Sequence, residues 1–260
     1  MSEADYFVVD GLCVSLGGKL RVKDVSFGLP RGCLTALVGP SGAGKTTLLR
    51  ALAGLIPSEG RITAGGEEVS KIPVRQRARR LSYVPQGEAV HWPLPVRDVV
   101  ALGRYPHGAP DPQRLGITDA DAVARALHEV DLMPLQDRRV TELSGGERRR
   151  VAIARALATE APILLADEPI ASLDPYFQLA VMALLQRQAR AGALVLVITH
   201  DIGLAARFAD CILMLSEGRL AACGPPSAVL APPRLADVFS IDAYRSSHDA
   251  QPVLVPWAMR

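Results

Sequence analysis

The run Gly39-Pro40-Ser41-Gly42-Ala43-Gly44-Lys45-Thr46-Thr47 constrains this chain more than any other stretch, because it matches G-x-x-x-x-G-K-[ST] at every fixed position. Before it, Cys33-Leu34-Thr35-Ala36-Leu37-Val38 reads as a short strand buried on both faces. Behind it a helix begins at the lysine and continues from Thr47 to Leu55, with apolar residues at Leu48, Leu49, Leu52 and Leu55 and an end marked by Gly54 and Pro57. Strand, glycine loop and helix in that order let backbone N–H groups turn inward around a phosphate while the helix presents its positive end to the same anion. Lys45 is placed to reach terminal phosphates, and the Thr46 hydroxyl to ligate Mg²⁺. A chance lysine in a glycine-rich turn would lack those flanking elements.

The rest of the composition narrows the partners. The chain has 260 residues, enough for one large or two small domains with a real core. An apolar fraction of 49% and a charged fraction of 22% are ordinary globular usage and argue against disorder. The net charge of +2 gives no global electrostatic case for nucleic acid or for an anionic membrane surface. Met1 to Asp5 carries acids where a secretory signal carries bases, and no apolar run approaches the roughly 18 residues of a membrane span, so a soluble, intracellular protein is expected. Cys13, Cys33, Cys211 and Cys223 show no C-x-x-C pairing, which points to reduced thiols and to neither a zinc site nor a disulfide framework.

In chain order, Tyr6 to Leu29 alternates short apolar runs with turns, as antiparallel strands with one wet face do, and Gly60 to Gly66 predicts another hairpin. Arg75, Arg77, Arg79 and Arg80 form a basic cluster without interleaved aromatics, read as a solvated face and not a nucleic-acid site. Leu81 to Gln86 is a strand that ends at a glutamine. From Gly87 to Pro112 the composition shifts to Pro, Gly, His and Trp around a helix at Val96 to Leu102, and a second helix spans Asp119 to Val130; this is a helical insertion. Sheet character returns at Pro162 to Asp167 and at Ala193 to His200, with a helix from Tyr176 to Ala191 between them, the spacing of a parallel crossover. Ligands sit at the carboxyl ends of such strands, so Asp167, Glu168 and His200 are expected to converge on the glycine loop. Cys211 to Leu215 with Gly218-Arg219-Leu220 predicts a hairpin, and the Pro-rich tail from Gly224 reads as an appendage.

Several of these residues carry chemistry. Asp167 can hold Mg²⁺ while Glu168 beside it polarises an attacking water as general base. Gln86 can touch Mg²⁺ or that water through its carbonyl oxygen, and His200 can hold a γ-phosphate and sense its loss. Leu143-Ser144-Gly145-Gly146-Glu147 combines a hydroxyl, two glycines and the start of a helix running from Arg148 to Leu157, a second anion cradle. A second cradle is redundant unless it completes another molecule's site.

Gly39 to Thr46, Gln86, Leu143 to Glu147, Ile163 to Glu168, Ser172-Leu173-Asp174 and His200 together resemble, in order, the Walker A, Q-loop, signature, Walker B, D-loop and switch-histidine motifs of the nucleotide-binding subunit of an ATP-binding cassette (ABC) transporter. The resemblance covers about residues 7 to 225. It implies an α/β P-loop NTPase with a RecA-like core, an N-terminal antiparallel β-subdomain and an inserted α-helical subdomain. The core and β-subdomain would take 7–86 and 160–223, the helical subdomain with the signature 87–159, and the tail 224–260. It also implies a head-to-tail homodimer with two ATP sites. One copy would supply Gly39, Pro40, Ser41, Gly42, Ala43, Gly44, Lys45, Thr46, Thr47, Gln86, Asp167, Glu168 and His200. The other would supply Ser144, Gly145 and Gly146, with Asp174 linking the two sites. Catalysis would fall to Glu168, His200, Gln86 and Lys45, and Mg²⁺ to Thr46, Gln86 and Asp167.

Within that family, Asp98 to Gly108 resembles the G-R-x-P-H stretch of importers for iron-siderophore, haem and cobalamin complexes. The implied setting is the cytoplasmic face of the inner membrane, against two transmembrane permease subunits and, indirectly, a substrate-binding protein. The other readings are an importer for another solute, a soluble non-transport cassette ATPase and an ATP-binding regulatory module. A haem or iron site on His91 and His107 is disfavoured, because two histidines without softer co-ligands ligate poorly. Three positions depart from the family pattern. Leu16 stands where an aromatic stacks on adenine, with Tyr6 or Phe7 as the substitutes at hand. Ile170 replaces a threonine, and Arg148, Arg149 and Arg150 follow the signature where glutamine is frequent; neither change carries an expected catalytic consequence.

Overall fold

The computed structural model describes residues 5–87, 93–109 and 111–260. The chain divides into two compact units, 1–72 with 185–260, and 73–184.

The first unit opens with β1 (Phe7–Leu16) and β2 (Lys19–Leu29), antiparallel from Phe7↔Leu29 to Leu16↔Lys19. Phe7, Val9, Leu12 and Val14 of β1 are buried at near-alternate positions, the pattern of a sheet with one wet face. Then comes β3 (Leu34–Val38), buried at all five positions, followed by α1 (Lys45–Leu52). The strands β4 (Glu59–Ala64) and β5 (Glu67–Glu68) turn at Gly65-Gly66, as their glycines predict, and complete a sheet in the order β2-β1-β4-β5.

The second unit contains α2 (Val74–Arg80), β6 (Leu81–Val84), α3 (Val96–Ala101), α4 (Ile117–Glu129), α5 (Gly145–Ala158) and β7 (Ile163–Asp167), and α6 (Pro175–Arg190) leads the chain out of it. β6 and β7 pair in parallel, from Leu81↔Ile163 to Val84↔Ala166, so Gln86 and Glu168 leave neighbouring strand ends. Helix α5 is buried on more than one face, through Val151, Ala152, Ile153, Ala154, Ala156 and Ala158, and packs against α3 and α4. The basic cluster of α2 is more than a solvated face. Arg75 and Arg79, one helical turn apart, both donate through Nε to the carbonyl of Pro106, at 2.9 and 2.8 Å.

Back in the first unit, β8 (Leu194–Ile198) pairs with β3 in parallel, and after α7 (Ile202–Phe208) so does β9 (Cys211–Ser216). Antiparallel β10 (Arg219–Gly224) closes the hairpin read from the sequence. β3 and β8 are entirely buried, which is why β8 is a continuous apolar run and β3 is apolar at every position but Thr35.

The tail is an ordered element and not a mere appendage. Pro226 and Pro232 sit at the first positions of α8 (Pro226–Val229) and α9 (Pro232–Phe239), where the missing N–H is no loss. The hairpin of β11 (Ile241–His248) and β12 (Gln251–Met259) follows and packs on α7, where Leu254 is buried. A Cβ on Gly203 of α7 would stand 2.6 Å from the Leu254 carbonyl, so this approach requires glycine.

Candidate nucleotide-binding and catalytic site

The glycine loop lies in the first unit, between the buried β3 and the start of α1. Gly44 is the N-cap of α1 at φ 100, and a Cβ there would meet the Arg21 carbonyl at 2.7 Å, so only glycine closes the loop. Lys45 is buried, and its Nζ donates to the carbonyls of Gly39 and Pro40 at 2.8 and 2.9 Å, curling the chain around the space that the α1 N–H groups face. This is a formed anion cradle with a cation folded into it. His200 belongs to the same unit. It follows β8, whose Ile198 lies opposite Leu37 of β3, and the Thr199 N–H donates to the Leu37 carbonyl at 3.4 Å. Its neighbours are fixed: the Asp201 N–H donates to the Thr199 hydroxyl at 3.0 Å, and Asp201 Oδ1 caps α7 by accepting from the Leu204 N–H at 2.8 Å. His200 therefore leaves a strand end beside the end of the strand that feeds the loop.

The second unit brings Gln86, Asp167 and Glu168 together. Asp167 is wholly buried, and the Tyr83 hydroxyl donates to its Oδ2 at 3.3 Å. Glu168 stands in left-handed backbone conformation, φ 50, and Gln86 Nε2 donates to its Oε2 at 2.8 Å. The glutamine thus touches the expected base with its amide nitrogen, which leaves its carbonyl oxygen as the atom for a metal or water. Thr46 hydroxyl, Asp167 carboxylate and Gln86 carbonyl are hard oxygen donors of the kind Mg²⁺ takes, so the donor chemistry fits.

Ser144 is the N-cap of α5 in a reciprocal capping box. Its hydroxyl accepts from the Glu147 N–H at 3.2 Å, and Glu147 Oε2 accepts from the Ser144 N–H at 2.7 Å. That second bond holds the Glu147 carboxyl below its ordinary range. The cap uses a lone pair of Ser144, and its hydroxyl group also interacts with the Glu147 carboxylate, a further cause of that lowering. Gly145 has nothing within 4 Å of an added Cβ, and Gly146 only the Leu173 side chain at 3.4 Å, so the helix start presents bare backbone. Asp174 is itself a cap: its Oδ1 accepts from the Phe177 N–H at 3.0 Å at the start of α6.

The three arginines after Ser144-Gly145-Gly146-Glu147 have roles the sequence reading missed. Arg148 donates to the Leu143 carbonyl. Arg150 donates to the carbonyls of Val130 and Asp131, with its guanidinium 4.1 Å from the Phe177 ring centroid. Arg149 reaches the carbonyls of Pro85, Asp167, Glu168 and Pro169. Consecutive helical residues point about 100° apart, so three arginines in a row address three neighbours, and that geometry was the available signal.

The stretch from Gly103 to His107 also proves structural. Arg104 is 4% exposed and donates to Asp119 Oδ1 at 2.7 Å, the Ala158 carbonyl at 2.8 Å and Glu160 Oε2 at 2.9 Å. Gly103 lies so close to the Arg155 carbonyl of α5 that no side chain fits. His107 Nε2 bonds the Thr159 carbonyl at 2.9 Å, and the other half of the disfavoured histidine pair, His91, lies outside the described residues. Leu16, at the end of β1, is 40% exposed. Phe7 is fully buried in the core and so presents no ring to a base, while the Tyr6 ring is covered by Arg31, whose guanidinium carbon is 5.3 Å from the ring centroid. Ile170 is buried, as suits an apolar residue there.

A buried parallel strand feeding a glycine loop and helix, with an acid pair and a glutamine at parallel strand ends, defines a P-loop nucleoside triphosphatase. The chain belongs to the ABC transporter family, whose model matches residues 22–171, and is an ATPase of that family. It is 40% identical over 246 residues to the hemin import ATP-binding protein HmuV of Pseudomonas putida, across 92% of this chain and 94% of that one. It is 41% identical to the cobalamin import ATP-binding protein BtuD of Halobacterium salinarum, across 94% of this chain and 58% of the relative. Among solved structures, an ABC transporter assigned to the metal-chelate type, in an inward-facing conformation, superposes with a TM-score of 0.83 at 26% identity over 98% of each chain. No helix among the described residues is long and apolar enough to cross a membrane.

Proposed function

We propose that the chain hydrolyses ATP to drive uptake of a metal chelate, in the class of ferric siderophore, haem or cobalamin, through separate permease subunits at the cytoplasmic face of the inner membrane. A substrate-binding protein would deliver the cargo. The cargo class is supported by relatives named for hemin and cobalamin import and by a structural neighbour of the metal-chelate type. The hydrolytic mechanism is supported by the 2.8 Å bond from Gln86 to Glu168, which orients a carboxylate at a strand end where it can accept a proton from water.

In this mechanism the loop N–H groups of Gly39 to Thr47 and the start of α1 bind the ATP phosphates, and Lys45 offsets the charge that develops on the γ-phosphate oxygens. Mg²⁺ bound by Thr46, Asp167 and the Gln86 carbonyl would supply charge neutralisation on the same oxygens. Glu168 accepts the proton of the attacking water. Gln86 keeps the carboxylate turned toward that water, and His200 donates to the γ-phosphate. Ser144, Gly145 and Gly146 would complete the site of a second copy in a head-to-tail dimer.

Glu168→Gln tests the reading. The variant is expected to bind Mg-ATP with near wild-type affinity, to accumulate a dimer in ATP, and to lose nearly all phosphate release; retained turnover overturns Glu168 as base. For the cargo, the complex reconstituted with its permease is expected to hydrolyse faster with a haem- or cobalamin-loaded binding protein than with an amino-acid-loaded one.

A further inference from the structure

Arg149 is 9% exposed, and its guanidinium donates to four main-chain oxygens. Nε donates to the Pro169 carbonyl at 3.2 Å, Nη1 to the Pro85 carbonyl at 2.7 Å, and Nη2 to the carbonyls of Asp167, at 2.8 Å, and Glu168. The acceptors fall on two segments. One is the residue directly before Gln86. The other is the continuous run Asp167-Glu168-Pro169 at the end of β7.

Glu168 holds φ 50, a conformation that side chains with a Cβ disfavour and that must be imposed by its surroundings. The carbonyls of Asp167 and Glu168 belong to the two peptide planes flanking the Glu168 Cα, and one guanidinium nitrogen binds both. Fixing both planes fixes the direction of the Cα–Cβ bond and with it the reach of the carboxylate. The bond to Pro85 does the same for the peptide that carries Gln86, the residue that donates to that carboxylate. A planar guanidinium with five donors can serve three directions at once; an ammonium or an amide cannot.

We propose that Arg149 is a positioning residue for hydrolysis: it locks the backbone of Glu168 and of Gln86's neighbour from α5, the helix whose first turn is Ser144 to Glu147. The helix start that offers its glycines to an anion and the carboxylate that activates water thus share one rigid connection within the chain. Movement of the α5 start on engaging phosphate would be transmitted to Glu168 through this side chain. The inference rests on Glu168 being the base.

The test measures kcat and KM for ATP on the full chain for wild type, Arg149→Met, Arg149→Lys and Glu168→Gln, with thermal denaturation of each as the folding control. Misplacing a catalytic group by about 1 Å costs about 100-fold, so Arg149→Met is expected to lose kcat on that scale with KM within about 3-fold of wild type. Arg149→Lys, which keeps the charge and part of the bonding, is expected to recover about 10-fold of the loss. Adding Arg149→Met to Glu168→Gln is expected to lower the residual rate no further, because the two changes disable one unit. A folded Arg149→Met with kcat near wild type, or a loss confined to KM, overturns the proposal, as does an Arg149→Lys chain no better than Arg149→Met. Should Arg149→Met fail to fold, Arg149→Lys decides: wild-type kcat in that variant overturns it. Turnover by Glu168→Gln would defeat the base assignment, whereas an inactive Glu168→Gln beside an active Arg149→Met would defeat only the positioning role.

Discussion

Replacing Arg104 by methionine removes a buried cation while roughly keeping its volume, and the cost can be worked from its three bonds. The Ala158 carbonyl is the acceptor left without water, since the Arg104 contact to it is buried; an orphaned buried acceptor costs about 1 to 3 kcal/mol. Asp119 and Glu160, with side chains 22% and 44% exposed, regain water, and Glu160 keeps Arg125 at 2.8 Å, so their loss is smaller, about 1 kcal/mol together. The sum, about 3 kcal/mol, lies at the low end of the range for breaking a buried pair. For a chain of this size that lowers Tm by about 6 to 12 °C. The contact also has a pH signature. Burial raises the Glu160 pKa, but the bonds and charges of Arg125 and Arg104 outweigh it and the net shift is downward. A carboxyl with a depressed folded pKa contributes stability that is complete above its unfolded pKa and is lost as pH falls through the folded one. The gap between wild type and Arg104→Met, followed by calorimetry, should therefore be full at neutral pH and narrow on acidification. A Tm within about 2 °C of wild type at neutral pH, or a gap that widens in acid, refutes the reasoning.

Ser144→Ala removes the α5 cap and should cost about 1 kcal/mol in denaturant titration; Ser144→Asp should restore that stability but not hydrolysis, because the hydroxyl proton is gone and a negative charge faces phosphate. The neighbouring Cys211 thiol favours the Cys223 thiolate, outweighs the opposing effect of burial and pulls the Cys223 pKa down to about 7, while Cys211 itself is pushed up. Iodoacetamide alkylation of Cys223 should accordingly rise with a midpoint near neutrality, and Cys211→Ala should move that midpoint to higher pH; an ordinary thiol midpoint in wild type contradicts the assignment. Leu16→Tyr should tighten ATP binding by about 5- to 150-fold if stacking contributes about 1 to 3 kcal/mol, as read by calorimetric titration, and unchanged affinity would mean that β1 does not meet the base.

What was legible in the sequence was whatever is encoded locally. β3, β7 and β8 announce themselves as mainly apolar runs because they are buried throughout, and the glycine loop because its turn tolerates no Cβ. The C-terminal hairpin stayed hidden for a local reason too. Its turn is Asp249-Ala250, both at positive φ, where Asn-Gly or Asp-Gly would have been the recognisable pair. The work of Arg75, Arg79, Arg104 and Arg149 was illegible for a different cause. Each reaches acceptors tens of residues away, and a long side chain looks alike in sequence whether it ends in water or on a carbonyl. Gln86 lay between the two cases: its place at a strand end could be read, but which amide atom met Glu168 could not.

Lys45 binds the carbonyls of its own loop, and this bears on the energetics of capturing a nucleotide. A loop already closed on itself has little conformational entropy left to lose, so heat and not ordering should dominate the binding signature, and arrival of the ligand need not wait for the chain to fold around it.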